Sequence, residues 1–359
     1  MSAFNTFCDG RLPATLFAVL AGARLLAAAP PGETSWVRIA ESGTAIKIES
    51  DAIEAVIPKR NPTCWMTGIE KGSFLDKTTG FREAGDGLCV VDWLMEPGSD
   101  EPWRDRLKEG DRYLFNNAYH GKRAKHVVEG PQLSTSTNGA QAQIIRGRDF
   151  VAVKTTCRYE YAAAPGHNAG SLLTQLFVFP KGKRYFFLMD RIDCVNDSDE
   201  LFLRVDMPGS LRHRHGETFS EIYLGYFGGS QGMHIPSAEF GSAFPPDEKF
   251  NYRRDSNTLP ARFIRGYRLR DPKTGQQGPW LAGMTLEPSV VYEAWCNQRP
   301  GIVICIEEIG GRPIKAGDAF SAVFIVGYFD TIDEMNAVYD RYRGCTVLSA
   351  DGPESFRTR

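Results

Sequence analysis

Hydrophobic residues along this chain recur mostly at alternate positions, in runs of five to ten, with polar turn residues between the runs. A period of two places successive side chains on opposite faces of an extended backbone, so the pattern predicts half-buried strands. Ala45 to Ile48 and Ala52 to Ile57 show it first; Lys71 to Leu75 follows and ends in a polar turn with Asp76 and Gly80 as turn formers. The series continues with Ala142 to Arg146, Phe150 to Tyr161, Leu172 to Phe179, Tyr185 to Cys194 and Leu201 to Met207. Phe219 to Tyr226, Ala261 to Leu269, Trp280 to Thr285, Val290 to Trp295, Ile302 to Glu307 and Ala319 to Gly327 complete it. Turn signals such as Asn138-Gly139, Pro180-Lys181-Gly182 and Asn196-Asp197-Ser198 separate the runs.

One segment carries the helical period instead. Thr331 to Tyr342 opens with an N-cap threonine, has Glu334 three residues on as in a capping box, and stops at Gly344. Ile332, Met335, Val338 and Tyr339 fall on one face. Because no helical segments alternate with the strands, a parallel α/β sheet is excluded. Turn signals every ~8–12 residues predict an all-β fold: a large antiparallel β-sandwich, supersandwich-like, with one short C-terminal helix. No fixed-period repeat points to a propeller. The least strand-like stretches, Glu96 to Gly121, Pro208 to His215 and Gly228 to Asp255, are expected to be long loops, where function concentrates.

The N-terminus differs from the rest. Leu12 to Ala23 is a short apolar run, and Ala27-Ala28-Ala29 precedes Pro30-Pro31, which reads as a secretory signal over residues 1–29 ahead of a single sandwich domain over 30–359. Asp9 offsets Arg11, and Arg24 sits near the end of the apolar run, so an unstructured or helical N-terminus is the alternative. Export to a periplasm or the extracellular space is the expectation. No later stretch approaches the ~18 apolar residues of a membrane span. With 42 basic and 44 acidic residues the net charge is −2, which gives no global attraction to nucleic acid or anionic lipid. Beyond the signal lie Cys64, Cys89, Cys157, Cys194, Cys296, Cys305 and Cys345, with no CxxC pair to suggest a zinc or thioredoxin-type centre. One or two disulfides are compatible with export, and the spacing does not say which.

Against this neutral background, three local cationic clusters stand out. The first runs Asn116-Asn117-Ala118-Tyr119-His120-Gly121-Lys122-Arg123-Ala124-Lys125-His126; the second is Arg212-His213-Arg214-His215; the third is Tyr252-Arg253-Arg254-Asp255. Amide, imidazole, phenol and guanidinium together suit β-elimination from a uronate. A cation or amide bonding the sugar carboxylate stabilises the enolate-like charge, while a histidine or tyrosine moves the protons. A solvated surface loop explains the same residues without chemistry. His213 and His215, two apart on a strand, share a face and could hold half of a divalent-metal site or form a polar strand edge; no other cofactor is expected. Trp280 reads either as a sugar-stacking platform or as core. Of Glu307 and Glu308, alternation puts only one on the inner face. The chain has no GxxxxGK[ST] loop, HExxH helix or GxSxG elbow.

The residues of Asn116 to Arg123 resemble the toolkit of metal-independent polysaccharide lyases, and the all-β pattern resembles β-sandwich lyases and mutarotase-like sandwich domains. KGSFLDKTTG and EEIGGRPIKAGDAFSAVFIVGYF are similar in style to such domains. The resemblance implies a secreted lyase acting on an acidic polysaccharide. Asn117 would neutralise the carboxylate, His120 would be the base and Tyr119 the acid, with Arg123 and Lys122 on substrate charge. Asn116, Arg212, His213, His215, Tyr252, Arg253 and Trp280 would bind the sugar. A glycoside hydrolase on the same scaffold and a non-catalytic carbohydrate-binding protein are the alternatives.

Overall fold

A computed structural model describes residues 36–59, 67–99, 101–106, 124–130, 133, 139–213, 217–240, 250–255, 257–299, 301–352 and 355–359. In chain order the strands begin with β1 (Val37–Glu41), β2 (Ala45–Ser50), β3 (Ile53–Pro58), β4 (Leu75–Asp76), β5 (Leu88–Pro97) and β6 (Lys125–Gly130). They continue with β7 (Gln141–Arg146), β8 (Phe150–Arg158), β9 (Tyr161–Ala162), β10 (Leu172–Pro180), β11 (Tyr185–Asp193), β12 (Ser198–Arg212), β13 (Phe219–Leu224) and β14 (Met233–Pro236). The last are β15 (Tyr252–Arg253), β16 (Ile264–Arg270), β17 (Gln277–Thr285), β18 (Val291–Arg299), β19 (Ile302–Ile314) and β20 (Ala319–Phe329), then helix α1 (Ile332–Tyr342) and the short pair β21 (Leu348–Ser349) and β22 (Arg357–Thr358).

Two large antiparallel sheets make the body. One has nine strands in the order β14-β13-β16-β17-β20-β11-β10-β8-β7, the other seven in the order β15-β18-β19-β12-β5-β6-β9. Their inner faces share one hydrophobic core, with Phe177, Phe186, Leu188, Tyr267, Leu281 and Phe324 from the nine-stranded sheet against Val91, Leu203, Val205, Val291 and Ile309 from the seven-stranded one. The fold is thus an all-β sandwich with one α-helix among the described residues, as the alternation predicted. The β1–β4 sheet joins the same core through Ile46, Ile48, Ile53 and Phe74; Phe74 stacks on Tyr328 at 4.7 Å and its carbonyl accepts the Tyr328 hydroxyl at 2.7 Å.

Helix α1 follows its sequence signals. Thr331 is the N-cap, and its hydroxyl accepts from the Glu334 N–H at 3.1 Å. The Glu334 carboxylate reaches back to the Asp330 N–H at 2.8 Å, one residue earlier than a standard capping box. Met335 and Tyr339 are buried against the outer face of the nine-stranded sheet, packed among Ile264, Trp280, Ala282 and Ile325. Gly344 ends the turn with a positive φ of 87°.

One strand goes unmarked by the alternation, and one expected loop needs correction. Strand β5 has no period-two pattern because its side chains are buried on both faces, from Leu88 to Met95 with only Trp93 part-exposed. Pro208 to Arg212, read as loop, is the second half of the fifteen-residue strand β12. A register shift between Asp206 and Ser210 takes Met207, Pro208 and Gly209 out of the ladder with β19, while Gly209 still pairs with Leu88 of β5, so the strand passes through a Pro-Gly pair that would interrupt a regular one.

The core also holds an unpaired acid. Asp190 on β11 is fully buried; Gln175 Nε2 donates to its Oδ1 at 2.9 Å, Oδ2 has no partner, and burial pushes its pKa up to about 7. A folded-state value raised above the unfolded ~3.9 means that stability is lost as pH rises from about 4 through 7. Asp190→Asn keeps the acceptor for Gln175 and removes the titration. It should stabilise the protein at pH 8 by up to about 4 kcal/mol while changing little at pH 4, as measured by denaturant unfolding at both pH values. Parallel pH profiles for the two proteins would contradict this.

Candidate active site

Strand β19 carries Glu307 and Glu308 side by side, and alternation sends them to opposite faces of the seven-stranded sheet. Glu307 points inward, where Arg265 of β16 donates to its Oε2 at 2.7 Å and Thr285 of β17 to its Oε1 at 2.6 Å. Glu308 points outward, away from the other sheet. There Lys125 of β6 donates to Glu308 Oε2 at 2.5 Å and to Glu293 Oε2 at 2.9 Å, all three side chains closed to solvent. On the far side of Glu293, Arg253 bonds its Oε1 through Nε and Nη2. Beside Glu308, its ladder partner Arg204 on β12 lies 3.3 Å from Asp92 and 3.5 Å from Asp206. A row of charges of alternating sign therefore crosses the outer face from β15 to β5.

Two β-bulges assemble this row. Val291 and Glu293 on β18 pair with Ile309 and Glu308, so two β18 positions span one step of β19, and Tyr292 and Glu293 both turn outward. Leu94 and Val91 on β5 pair with Leu203 and Val205, so Asp92 and Trp93 together face Arg204. The bulges thus set an aromatic ring next to a carboxylate twice. Arg204 lies over Trp93 at 5.2 Å, and Lys125 is surrounded by Phe202, Tyr292 and Trp295 at 5.5, 5.9 and 5.7 Å. Trp93 is part-exposed, and the Arg253 side chain, 48% exposed, is where the row meets solvent.

Charge states follow from these neighbours. Burial alone would strip the Lys125 proton, but Glu308 and Glu293 outweigh it and raise the ammonium pKa. Burial also raises the Glu308 carboxyl; Lys125 opposes that rise and Glu293 adds to it. The second Glu308 oxygen, Oε1, is buried without a hydrogen-bond partner. Glu308 is therefore a carboxyl group inclined to hold a proton, beside a cation and a second carboxylate, with one buried oxygen left without a partner. At the edge of the same sheet Glu96 Oε1 meets His126 Nε2 at 3.0 Å and His167 Nε2 at 3.2 Å; burial would raise this carboxyl, and hydrogen bonds with His126 and Ser198 overcome it and lower its pKa.

The residues singled out from sequence are distributed differently. Asn116, Asn117, Tyr119, His120, Lys122, Arg123 and His215 lie outside the described residues. Arg253 belongs to the row. Arg212 is exposed at the end of β12. His213 is buried with its ring 4.7 Å from Phe219 and 6.0 Å from Phe240, and burial foremost lowers its pKa; no group of three metal-ligating side chains occurs among the described residues. Tyr252 packs into the inter-sheet core against Tyr226 and Phe263. Trp280 lies under α1 on the opposite sheet, 4% exposed, which makes it core rather than an open stacking platform. The described members of the second and third clusters thus do not converge on one face. Arg254, for its part, clamps the carbonyls of Ser289, Gly310 and Gly311. Sequence reasoning passed over Arg204 and Asp92, and counted Lys125 in the first cluster without giving it a role. The available signal was a charged residue set inside the apolar runs of β5 and β12. A surface pocket of about 310 Å³ lined by Thr79, Phe81, Arg268, Gln277, Pro279 and Asp330 lies on the other sheet, beside the turn into α1, and contains none of the row.

Lys125→Met leaves Glu293 and Glu308 buried without their shared cation and should cost about 3–5 kcal/mol of folding stability. The combined Lys125→Met, Glu293→Gln, Glu308→Gln variant should recover most of that loss. Denaturant titration of both proteins checks the pair, and a loss under about 1 kcal/mol in the single variant would contradict a desolvated triad.

No family model matches the chain, and no curated protein matches it. Solved structures with similar folds include galactose 1-epimerase from Lactobacillus acidophilus NCFM, at 10% identity and TM-score 0.45, covering 79% of this chain and 93% of that one. A galactose mutarotase-like protein from Clostridium acetobutylicum gives 8%, 0.44, 82% and 99% in the same order, and an alpha-mannosidase from Enterococcus faecalis V583 gives 12%, 0.41, 82% and 30%. At these identities and TM-scores the likenesses assign no activity to this chain.

Proposed function

We propose that this chain is a carbohydrate-active enzyme that moves protons to and from a sugar held at the outer face of the seven-stranded sheet. Glu308 carries the reading: burial raises its carboxyl pKa, one oxygen is tied to Lys125, and the other is free. A carboxyl group so placed holds its proton more readily than a free one, and giving that proton up and taking it back is the requirement for general acid–base work. Trp93, part-exposed with Arg204 lying over its ring, sets an aromatic plane and a cation together at this face for a sugar ring.

Within that class the reading is β-elimination from an acidic polysaccharide by an exported enzyme. Lys122 and Arg123 stand three and two positions ahead of Lys125 in the sequence, so the cluster with Asn117, Tyr119 and His120 leads straight into the row. The described cations of the row are already matched by carboxylates, and that cluster would supply the surplus positive charge a uronate needs. Hydrolysis by a carboxylate pair has less support. A glycosidase sets its two groups ~5–10 Å apart about one bond, whereas Glu293 and Glu308 share a single ammonium.

The purified protein should generate the ultraviolet absorbance of an unsaturated product from at least one member of a panel of uronate polysaccharides. Glu308→Gln, His120→Ala and Tyr119→Phe should each slow the reaction by about 10²–10⁴-fold. New reducing ends without absorbance would replace elimination by hydrolysis. Full activity in Glu308→Gln would remove this face as the site, and inertness toward every glycan tested would overturn the enzyme reading.

A further inference from the structure

Cys296 on β18 and Cys305 on β19 are direct ladder partners, and both side chains enter the inter-sheet core. Their sulfurs lie 3.8 Å apart, and the Tyr267 hydroxyl contacts Cys305 Sγ at 3.1 Å. Directly opposed positions on antiparallel strands bring Cβ atoms to about 4.5–5.5 Å, and a disulfide needs them at about 3.5–4.5 Å, so closure asks for a small side-chain movement within an existing register. The two thiols are chemically unequal. Hydrogen bonding with Cys305, together with burial, lifts the Cys296 thiol, whereas Cys305, which burial alone would raise, is brought down to about 7 by Cys296, Arg265 and Tyr267.

We propose that Cys296 and Cys305 are a cross-link site: the two thiols close to a disulfide joining β18 to β19 when the chain folds in the presence of a small disulfide oxidant. One of the two cysteine thiolates attacks one sulfur of the oxidant, forming a mixed disulfide and releasing one thiolate. The other cysteine then loses its proton and displaces the second, so two protein thiols are oxidised and one external disulfide is reduced to two thiols. Both sulfurs are fully buried in the finished sandwich, which places the exchange before the sheets close and protects the bond afterwards. Glu293 and Glu308 form another rung of the same ladder, each three residues from its cysteine, so the bond would fix the offset between the two strands that bring the carboxylates to Lys125. The inference does not depend on which reaction that face performs.

The test is to unfold and reduce the full chain, then refold it in oxidised and reduced glutathione. Remaining thiols are alkylated under denaturing conditions and the digest is mapped by mass spectrometry without reductant. The expected result is one linked peptide pair containing Cys296 and Cys305, and a denaturation midpoint that falls on reduction in the wild type but not in Cys296→Ala. Alkylation of both cysteines in the refolded protein, or a cross-link joining either of them to another cysteine, would overturn the assignment.

Discussion

The ion pair between Glu307 and Arg265 ties one sheet to the other in a place where water cannot assist. Two ions removed from solvent are tolerable only when geometry satisfies both. Here Thr285 donates to the second carboxylate oxygen and the Ile306 carbonyl accepts from Arg265 Nη1, which leaves the guanidinium Nε as the one buried donor of the pair without a partner. That requirement sets how β16 of the nine-stranded sheet lies over β19 of the seven-stranded one. It also sets the next residue. With Glu307 committed inward, Glu308 must face out, and a carboxyl there is stable only with a cation of its own. Lys125 supplies it from β6, reaching past the intervening strands. The candidate site is in this sense the reverse side of the core: the residue that joins the sheets determines which residue the outer face must accommodate.

The same logic explains what could be read from sequence. Alternation survives wherever one face is buried and the other wet, so β2, β3 and β7 were legible, and α1 was legible from a cap, a stop and a 3.6-residue stripe. The opposite orientation of Glu307 and Glu308 followed from the same rule. Strand β5 was not legible because the outer face of its sheet is as buried as the inner one, which erases the period. The second half of β12 was not legible because a Pro-Gly pair reads locally as a turn and only the partner strands restore it.

The site was less visible than the fold for a related reason. Sequence reasoning looks for chemistry where polar residues are dense, as in the cluster from Asn116 to His126. The row draws its charges from six strands, most of them set singly in apolar runs, where each looks like an interruption until pairing aligns them. Tyr292 with Glu293, and Asp92 with Trp93, also defeat a strict period of two, since in each case neighbours share a face. Of the five residues chosen from sequence that are described, only Arg253 enters the row, and it does so because a short edge strand pairs with β18 opposite Glu293.

The two bulges bear on how this protein can change over evolutionary time. An isolated substitution at Tyr292 alters one ring. Removing that residue altogether would let β18 pair regularly with β19, with Val291 still inward and Glu293 still outward, but the outer face would lose the ring beside Lys125. The surface turns should accept insertions and deletions freely, whereas the lengths of β5 and β18 between their paired ends should be held constant even in descendants whose side chains have diverged. Chain length across those few residues, more than any single identity, would then mark relatives that keep the same face.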